Sequence, residues 1–171
     1  LNIRPIVAVP EKLIVQRVLF VCTGNIFRSL TAEYALREAL RGTGTDLIVA
    51  SAGTEDFAHV VKPVVRDYLS TKGFDVRPHQ RRTVTKQMLK EPGLVIAMST
   101  EHVAALREQF NYTNAPLFAA ACGLADEPLP DVEEAVADHA TNRDAVDAHV
   151  RLIIDRIIEL TPLLAARLES R

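Results

Sequence analysis

The chain has 171 residues, 48% apolar and 25% charged, which suits a single domain with a proper core. A formal net charge of −2 offers no overall basic surface for nucleic acid, and no apolar run approaches the ~20 residues that span a bilayer. Two cysteines, Cys22 and Cys122, form neither a disulfide framework nor a zinc-binding pattern, so neither metal nor other cofactor is expected.

Residues 1–16 read as an N-terminal extension without a signal-peptide pattern, carrying Ile6-Val7-Ala8-Val9 and Leu13-Ile14-Val15 with Pro5 and Pro10 as punctuation. A domain over 17–171 follows. Its first strand is expected near 17–22, and a helix over 29–41 stops at Arg41-Gly42. Leu47-Ile48-Val49-Ala50 is a short strand, and 60–73 has helical spacing ended by Gly73. A short helix over 84–90 precedes a strand over 93–98, and Ser99 or Thr100 caps a helix over 101–110. Residues 115–118 read as a fourth strand running into an alanine-rich stretch, and Pro128 and Pro130 mark a loop. Val146, Val150, Ile153, Ile154, Ile157 and Ile158 form one stripe of a last helix that Pro162 should end or kink. Apolar strands alternating with helices predict an α/β fold with a parallel sheet covered on both faces, whose binding site lies beyond the carboxyl ends of the strands.

Cys22 falls at such an end, and Arg28 follows six positions later on the same strand-to-helix loop. Gly24 and Asn25 tolerate backbone angles that let successive N–H groups turn inward as an anion nest, made up of Thr23, Gly24, Asn25, Ile26, Phe27, Arg28 and Ser29. The helix beginning near Ser29 adds its positive end, and the Arg28 fork can grip two phosphate oxygens. These surroundings are expected to favour the Cys22 thiolate, the nucleophilic form, with Ser29 donating a hydrogen bond to the sulfur. Phosphate or sulfate would fit the loop. A proton donor for the leaving group must come from the acidic cluster Asp126, Glu127, Asp131, Glu133 and Glu134.

The segment CTGNIFRS resembles the active-site loop C-x-G-N-x-C-R-S-P of the low-molecular-weight protein tyrosine phosphatases. Ser51-Ala52-Gly53-Thr54, His79-Gln80-Arg81-Arg82, Val95-Ile96-Ala97-Met98 and Leu129-Pro130-Asp131 are similar to further family segments in family order. The resemblance implies a three-layer sandwich around a four-stranded parallel sheet in the order 2-1-3-4. It also implies hydrolysis of protein phosphotyrosine and aryl phosphates through a phosphocysteine, with Cys22 as nucleophile, Arg28 on the phosphoryl group and Asp131 as general acid. Asp126 is the second candidate for that acid, since Val132-Glu133-Glu134 replaces the family's proline and aromatics. Phe27 stands where many members carry a second cysteine, so Cys22 has no disulfide partner on its own loop, and Leu30 replaces a common proline. Phe57 falls where the family often has Trp and is read as a wall of the substrate cleft.

Several polar residues have plainer readings. His79 matches a structural position of the family, His59 reads as a surface residue, and His102, His139 and His149 as solvated helix or loop residues. Arg81 and Arg82 read as surface charge, and Cys122 as an ordinary buried residue. A reactive thiol suits a cytoplasmic setting, with a phosphotyrosine protein as partner and a monomer or weak dimer as the assembly. Two other functions stay open: arsenate reduction using a small thiol, since Ala97-Met98-Ser99-Thr100 lacks a further cysteine, and a phosphotyrosine-binding module without turnover.

Overall fold

A computed structural model describes residues 15–56, 59–91 and 93–169. The elements are β1 (Arg17–Cys22), α1 (Arg28–Ala39), β2 (Ile48–Gly53), α2 (Pro63–Thr71), α3 (Lys86–Lys90), β3 (Leu94–Ala97), α4 (Thr100–Phe110), α5 (Phe118–Ala121), α6 (Val132–Ala135) and α7 (Arg143–Glu169). The strands pair in parallel in the order β2-β1-β3. The central strand β1 is buried on both faces, and strand alternation divides its side chains between two cores. Val18, Phe20 and Cys22 join Leu36 of α1 and Ile153 and Ile157 of α7. Leu19 and Val21 face Leu106 of α4, with Met88 and Leu89 of α3 packed against the same cluster. Helices therefore cover both faces, as the alternating pattern predicts.

The fourth strand expected at 115–118 is reduced to a single bridge between Ala97 and Leu117. The Ala97 N–H donates to the Pro116 carbonyl at 2.9 Å. Pro116 has no N–H to return to a ladder, and the following Phe-Ala-Ala-Ala has the propensity to wind into α5. The sheet among the described residues is thus three-stranded.

Pro162 does not end the last helix, which runs through it to Glu169. Leu160, Thr161, Leu164 and Ala165 are buried around the proline, so packing outweighs its local cost. The Thr161 hydroxyl donates to the Ile157 carbonyl at 2.6 Å. Val15 packs partly buried against the α1–α7 core, while most of the expected N-terminal extension, residues 1–14, lies outside the described residues. Among the described residues no helix is long and apolar enough to cross a membrane.

Candidate active site

β1 delivers Cys22 to the carboxyl end of the sheet, and residues 23–27 lead from it into α1, which begins at Arg28. Asn25 is the left-handed residue of this loop, with φ 55°. Gly24 serves a different need from the one expected, because a Cβ there would meet the His59 ring and the Ile26 side chain at 3.3 Å. His59 accordingly packs over the loop.

The loop is braced from several elements. The N–H of Thr54 donates to the Cys22 carbonyl at 2.9 Å, and that of Glu55 to the Thr23 carbonyl at 3.2 Å. Arg81 Nε donates to the Gly24 carbonyl at 3.0 Å, and its Nη2 donates to the Glu55 carbonyl. The Arg82 N–H donates to Asn25 Oδ1 at 2.9 Å. His79 Nε2 lies 2.9 Å from the Asn25 carbonyl and must carry the proton it donates there. Burial lowers the His79 pKa, which keeps this ring neutral. Arg81, read from the sequence as surface charge, therefore braces the loop with its side chain, whereas Arg82 does so with its backbone N–H and keeps an exposed side chain.

A directed chain of hydrogen bonds runs under the loop. The Arg82 N–H on Oδ1 fixes the orientation of the Asn25 amide, so Nδ2 donates to Ser29 Oγ at 3.1 Å and Ser51 Oγ at 2.7 Å. The Ser51 hydroxyl donates in turn to the Glu33 carboxylate. Ser29, accepting from Asn25, has its own proton free for Cys22 Sγ at 2.9 Å, the contact expected from the sequence. Glu33 is a buried charge with partners: Arg37 Nη2 lies at 2.5 Å and Arg82 Nη2 at 3.5 Å.

Arg28, 1% exposed, spans the gap between this loop and the acidic loop. Its Nη1 donates to the Leu129 carbonyl at 2.8 Å, its Nη2 to Asp131 Oδ2 at 2.5 Å, and Glu101 Oε1 lies 3.6 Å from Nη2. The other oxygen of Asp131 accepts the Val132 N–H at 2.7 Å and caps α6. His149 Nε2 reaches the Pro130 carbonyl at 3.0 Å from α7, which makes it a brace of the acidic loop instead of a solvated residue. Cys22 is thus paired with Ser29 and Arg28 with Asp131, whereas Asp126 is an exposed residue of the acidic loop. Phe27 packs partly buried against the cores on either side of α1. Phe57 lies outside the described residues. Cys122 is buried as expected, and burial pushes its thiol up to about 11.

Three functional neighbours escape a linear reading. Glu33 belongs to a helix that the sequence assigns only to packing, Ser51 is singled out only within the family-like segment Ser51-Ala52-Gly53-Thr54, and His102 is buried instead of solvated. Glu33 did carry a signal: it is an acid among the apolar positions of α1, where Leu30, Ala32 and Leu36 are buried. His102 Nδ1 accepts the Ser99 N–H at 3.0 Å at the start of α4, and Nε2 lies 2.9 Å from Thr23 Oγ1. Burial first, and then the Arg28 guanidinium of α1, push His102 down to about 3. Glu101 of α4 also faces the ring, its Oε1 3.2 Å from Nε2.

Two predictions follow from these contacts. Between pH 6.5 and about 3 the unfolded chain protonates His102 and the folded one does not, so stability falls as pH drops through that window. His79, lowered in the same sense, adds to the slope. Urea unfolding at pH 7 and pH 5 should show the wild type losing on the order of 2 kcal/mol more than His102→Asn; equal losses would contradict a neutral buried ring. At the end of β2, a Cβ on Gly53 would stand 2.5 Å from the Thr23 carbonyl oxygen and 3.1 Å from the Asn25 nitrogen. Gly53→Ala should therefore cost about 2 kcal/mol in urea unfolding and weaken inorganic phosphate binding measured by calorimetry.

The family model for low molecular weight phosphotyrosine protein phosphatase matches residues 17–119. The chain belongs to this family. In this chain Cys22 and Arg28 bracket the strand-to-helix loop. Over 88 residues it is 35% identical to the low-molecular-weight protein-tyrosine-phosphatase Etp of Escherichia coli K12, a match covering 51% of this chain and 57% of Etp. It is 33% identical over 84 residues to an arsenate reductase of Staphylococcus xylosus, covering 49% of this chain and 60% of that protein. The chain thus spans little more than half the length of these curated relatives. In fold it is similar to the crystal structure of the low molecular weight protein tyrosine phosphatase of T. tengcongensis, with a TM-score of 0.72 at 24% identity, over 89% of this chain and 99% of that one.

Proposed function

We propose that the chain is a protein-tyrosine phosphatase that hydrolyses phosphotyrosine and aryl phosphates through a phosphocysteine intermediate. Two contacts on the strand-to-helix turn after β1 support this reading: Cys22 Sγ lies 2.9 Å from Ser29 Oγ, and the buried Arg28 on the same turn pairs with Asp131. The N-terminus of α1 and the loop leading into it would receive the phosphoryl oxygens, and Arg28 would supply the charge that stabilises them in the transition state. In the first step the Cys22 thiolate attacks phosphorus, a sulfur–phosphorus bond forms and the phosphorus–oxygen bond to the aryl group breaks. Asp131 passes its proton to the departing phenolic oxygen. In the second step a water molecule attacks phosphorus, Asp131 takes up the water proton, the sulfur–phosphorus bond breaks and inorganic phosphate leaves with the thiolate restored. The Ser29 hydroxyl, aimed at sulfur by Asn25, steadies the thiolate as attacking and leaving group.

On this reading the catalytic domain covers 17–171 and acts in the cytoplasm as a monomer or weak dimer on a phosphotyrosine protein. The acid assignment favours Asp131 over Asp126 by position: Asp131 lies beside the guanidinium that would hold the phosphoryl group, whereas Asp126 is exposed to solvent. The test is phosphate release from p-nitrophenyl phosphate, phenyl phosphate and a tyrosine-phosphorylated peptide. The wild type should turn over all three. Asp131→Asn should lose about 10²-fold on phenyl phosphate, whose leaving group needs a proton, and far less on p-nitrophenyl phosphate. No turnover by the wild type would overturn the reading, and an unchanged phenyl phosphate rate would move the acid elsewhere.

A further inference from the structure

We propose that His102 is a positioning residue of the phosphate loop, its neutral ring held by Ser99 at one nitrogen and donating from the other to the hydroxyl of Thr23, the residue after the nucleophile. The inference rests on the phosphatase reading and extends it to a side chain that the chemistry itself does not touch.

The hydrogen-bond partners determine the state of the ring. A backbone N–H can only donate, so the bond from Ser99 N to Nδ1 at 3.0 Å requires a lone pair on Nδ1. A neutral ring then carries its proton on Nε2. That nitrogen lies 2.9 Å from Thr23 Oγ1, so Nε2–H donates and the hydroxyl accepts. The low pKa of the ring, set by burial and Arg28, agrees with this assignment. The two nitrogens thus have separate tasks. Nδ1 satisfies an N–H at the start of α4, which many cap residues could do. Nε2 ties that helix to a loop residue 79 positions away in sequence, a contact that helix capping does not require.

Thr23 is the corner of the loop. Its carbonyl is held from the segment after β2 by the Glu55 N–H at 3.2 Å, and its side chain from α4 by His102. With both ties the direction of the backbone leaving Cys22 is fixed, and with it the aim of the amides that follow. With only the carbonyl tie the corner can pivot. Misplacement of a reacting group on the scale of an ångström lowers a rate steeply, so the contact should register in catalysis and anion affinity more than in stability.

The experiment compares wild type, Thr23→Val, His102→Asn, the double variant and His102→Gln. Asparagine keeps an acceptor near the Nδ1 position, whereas glutamine keeps an N–H near the Nε2 position. Thr23→Val and His102→Asn should each lower kcat/KM for p-nitrophenyl phosphate by about tenfold and weaken inorganic phosphate binding in calorimetry to a similar degree. The double variant should be no worse than either single one, His102→Gln should recover most of the loss, and Thr23→Val should keep the wild-type melting temperature. Nitrogen-15 spectra of the wild type should show the Nε2–H tautomer of His102. Additive losses, a Thr23→Val enzyme equal to wild type, a His102→Asn enzyme better than His102→Gln, or an Nδ1–H tautomer would each overturn the proposal. Inactivity of the wild type would instead overturn the phosphatase reading, and the phosphate affinities and the tautomer would still decide the role of His102.

Discussion

Replacing Cys22 with serine is expected to abolish turnover, lowering kcat for p-nitrophenyl phosphate by at least about 10⁴-fold, because a hydroxyl is hardly ionised at neutral pH and is a far weaker nucleophile than a thiolate. Binding should survive. In the proposed mechanism the anion is held by the loop amides, Arg28 and the start of α1, and the braces on that loop come from Thr54, Glu55, His79, Arg81 and Arg82 through contacts that do not involve the sulfur. Calorimetry should therefore show inorganic phosphate bound by Cys22→Ser within about threefold of wild type, a difference below 1 kcal/mol. The pair of measurements separates chemistry from binding. A variant that retained turnover would move the nucleophile elsewhere. One that lost phosphate binding along with turnover would mean that the sulfur shapes the loop as well as attacking phosphorus.

Arg28→Ala should lower kcat/KM for aryl phosphates by about 10³-fold, the scale on which a preorganised donor at a developing oxyanion is felt. Arg28→Lys should recover little of that. The guanidinium reaches the Leu129 carbonyl with one terminal nitrogen and Asp131 with the other, and this two-pronged planar group suits two phosphoryl oxygens in the same way. An ammonium is a single point and cannot serve both directions. The loss should appear in kcat as well as KM, since charge accumulates on the equatorial oxygens as the reaction proceeds. Stability should fall too: Arg28 is 1% exposed, and its removal leaves the acidic loop carrying Asp131 without its cationic partner, beside Glu101. Urea unfolding and steady-state rates on the same preparations check both effects. A lysine variant near wild-type activity would show that charge alone suffices at this position.

The chemistry-bearing core of the site was legible in the chain because its members are neighbours in sequence. Cys22, Asn25, Arg28 and Ser29 belong to one strand-to-helix turn, and local rules are enough to read such a turn: an apolar strand, a left-handed residue and an opening helix. Asp131 stands out for a weaker reason, its place after Leu129-Pro130, and the structure adds that it is the acid of this cluster paired with Arg28 through a short hydrogen bond. Local propensity misleads where long-range packing competes with it. Pro162 has an unfavourable place in a helix, yet the buried residues around it keep α7 continuous. Residues 115–118 look like a strand by composition, but a proline and an alanine run leave a single bridge.

From the sequence alone came the class of fold and the loop that joins Cys22 to Arg28, since strand alternation, helical spacing and a short motif are properties of neighbouring residues. The supports of that loop were decided only by the tertiary structure. Glu33 orients Ser51, Arg81 and Arg82 brace Gly24 and Asn25, and His102 reaches Thr23 from 79 positions away. Each of these contacts depends on the parallel register of β1 against β2 and β3 and on where the following segments return to the sheet. Burial then selects the protonation state and donor sense of each group, which no linear pattern of residues encodes.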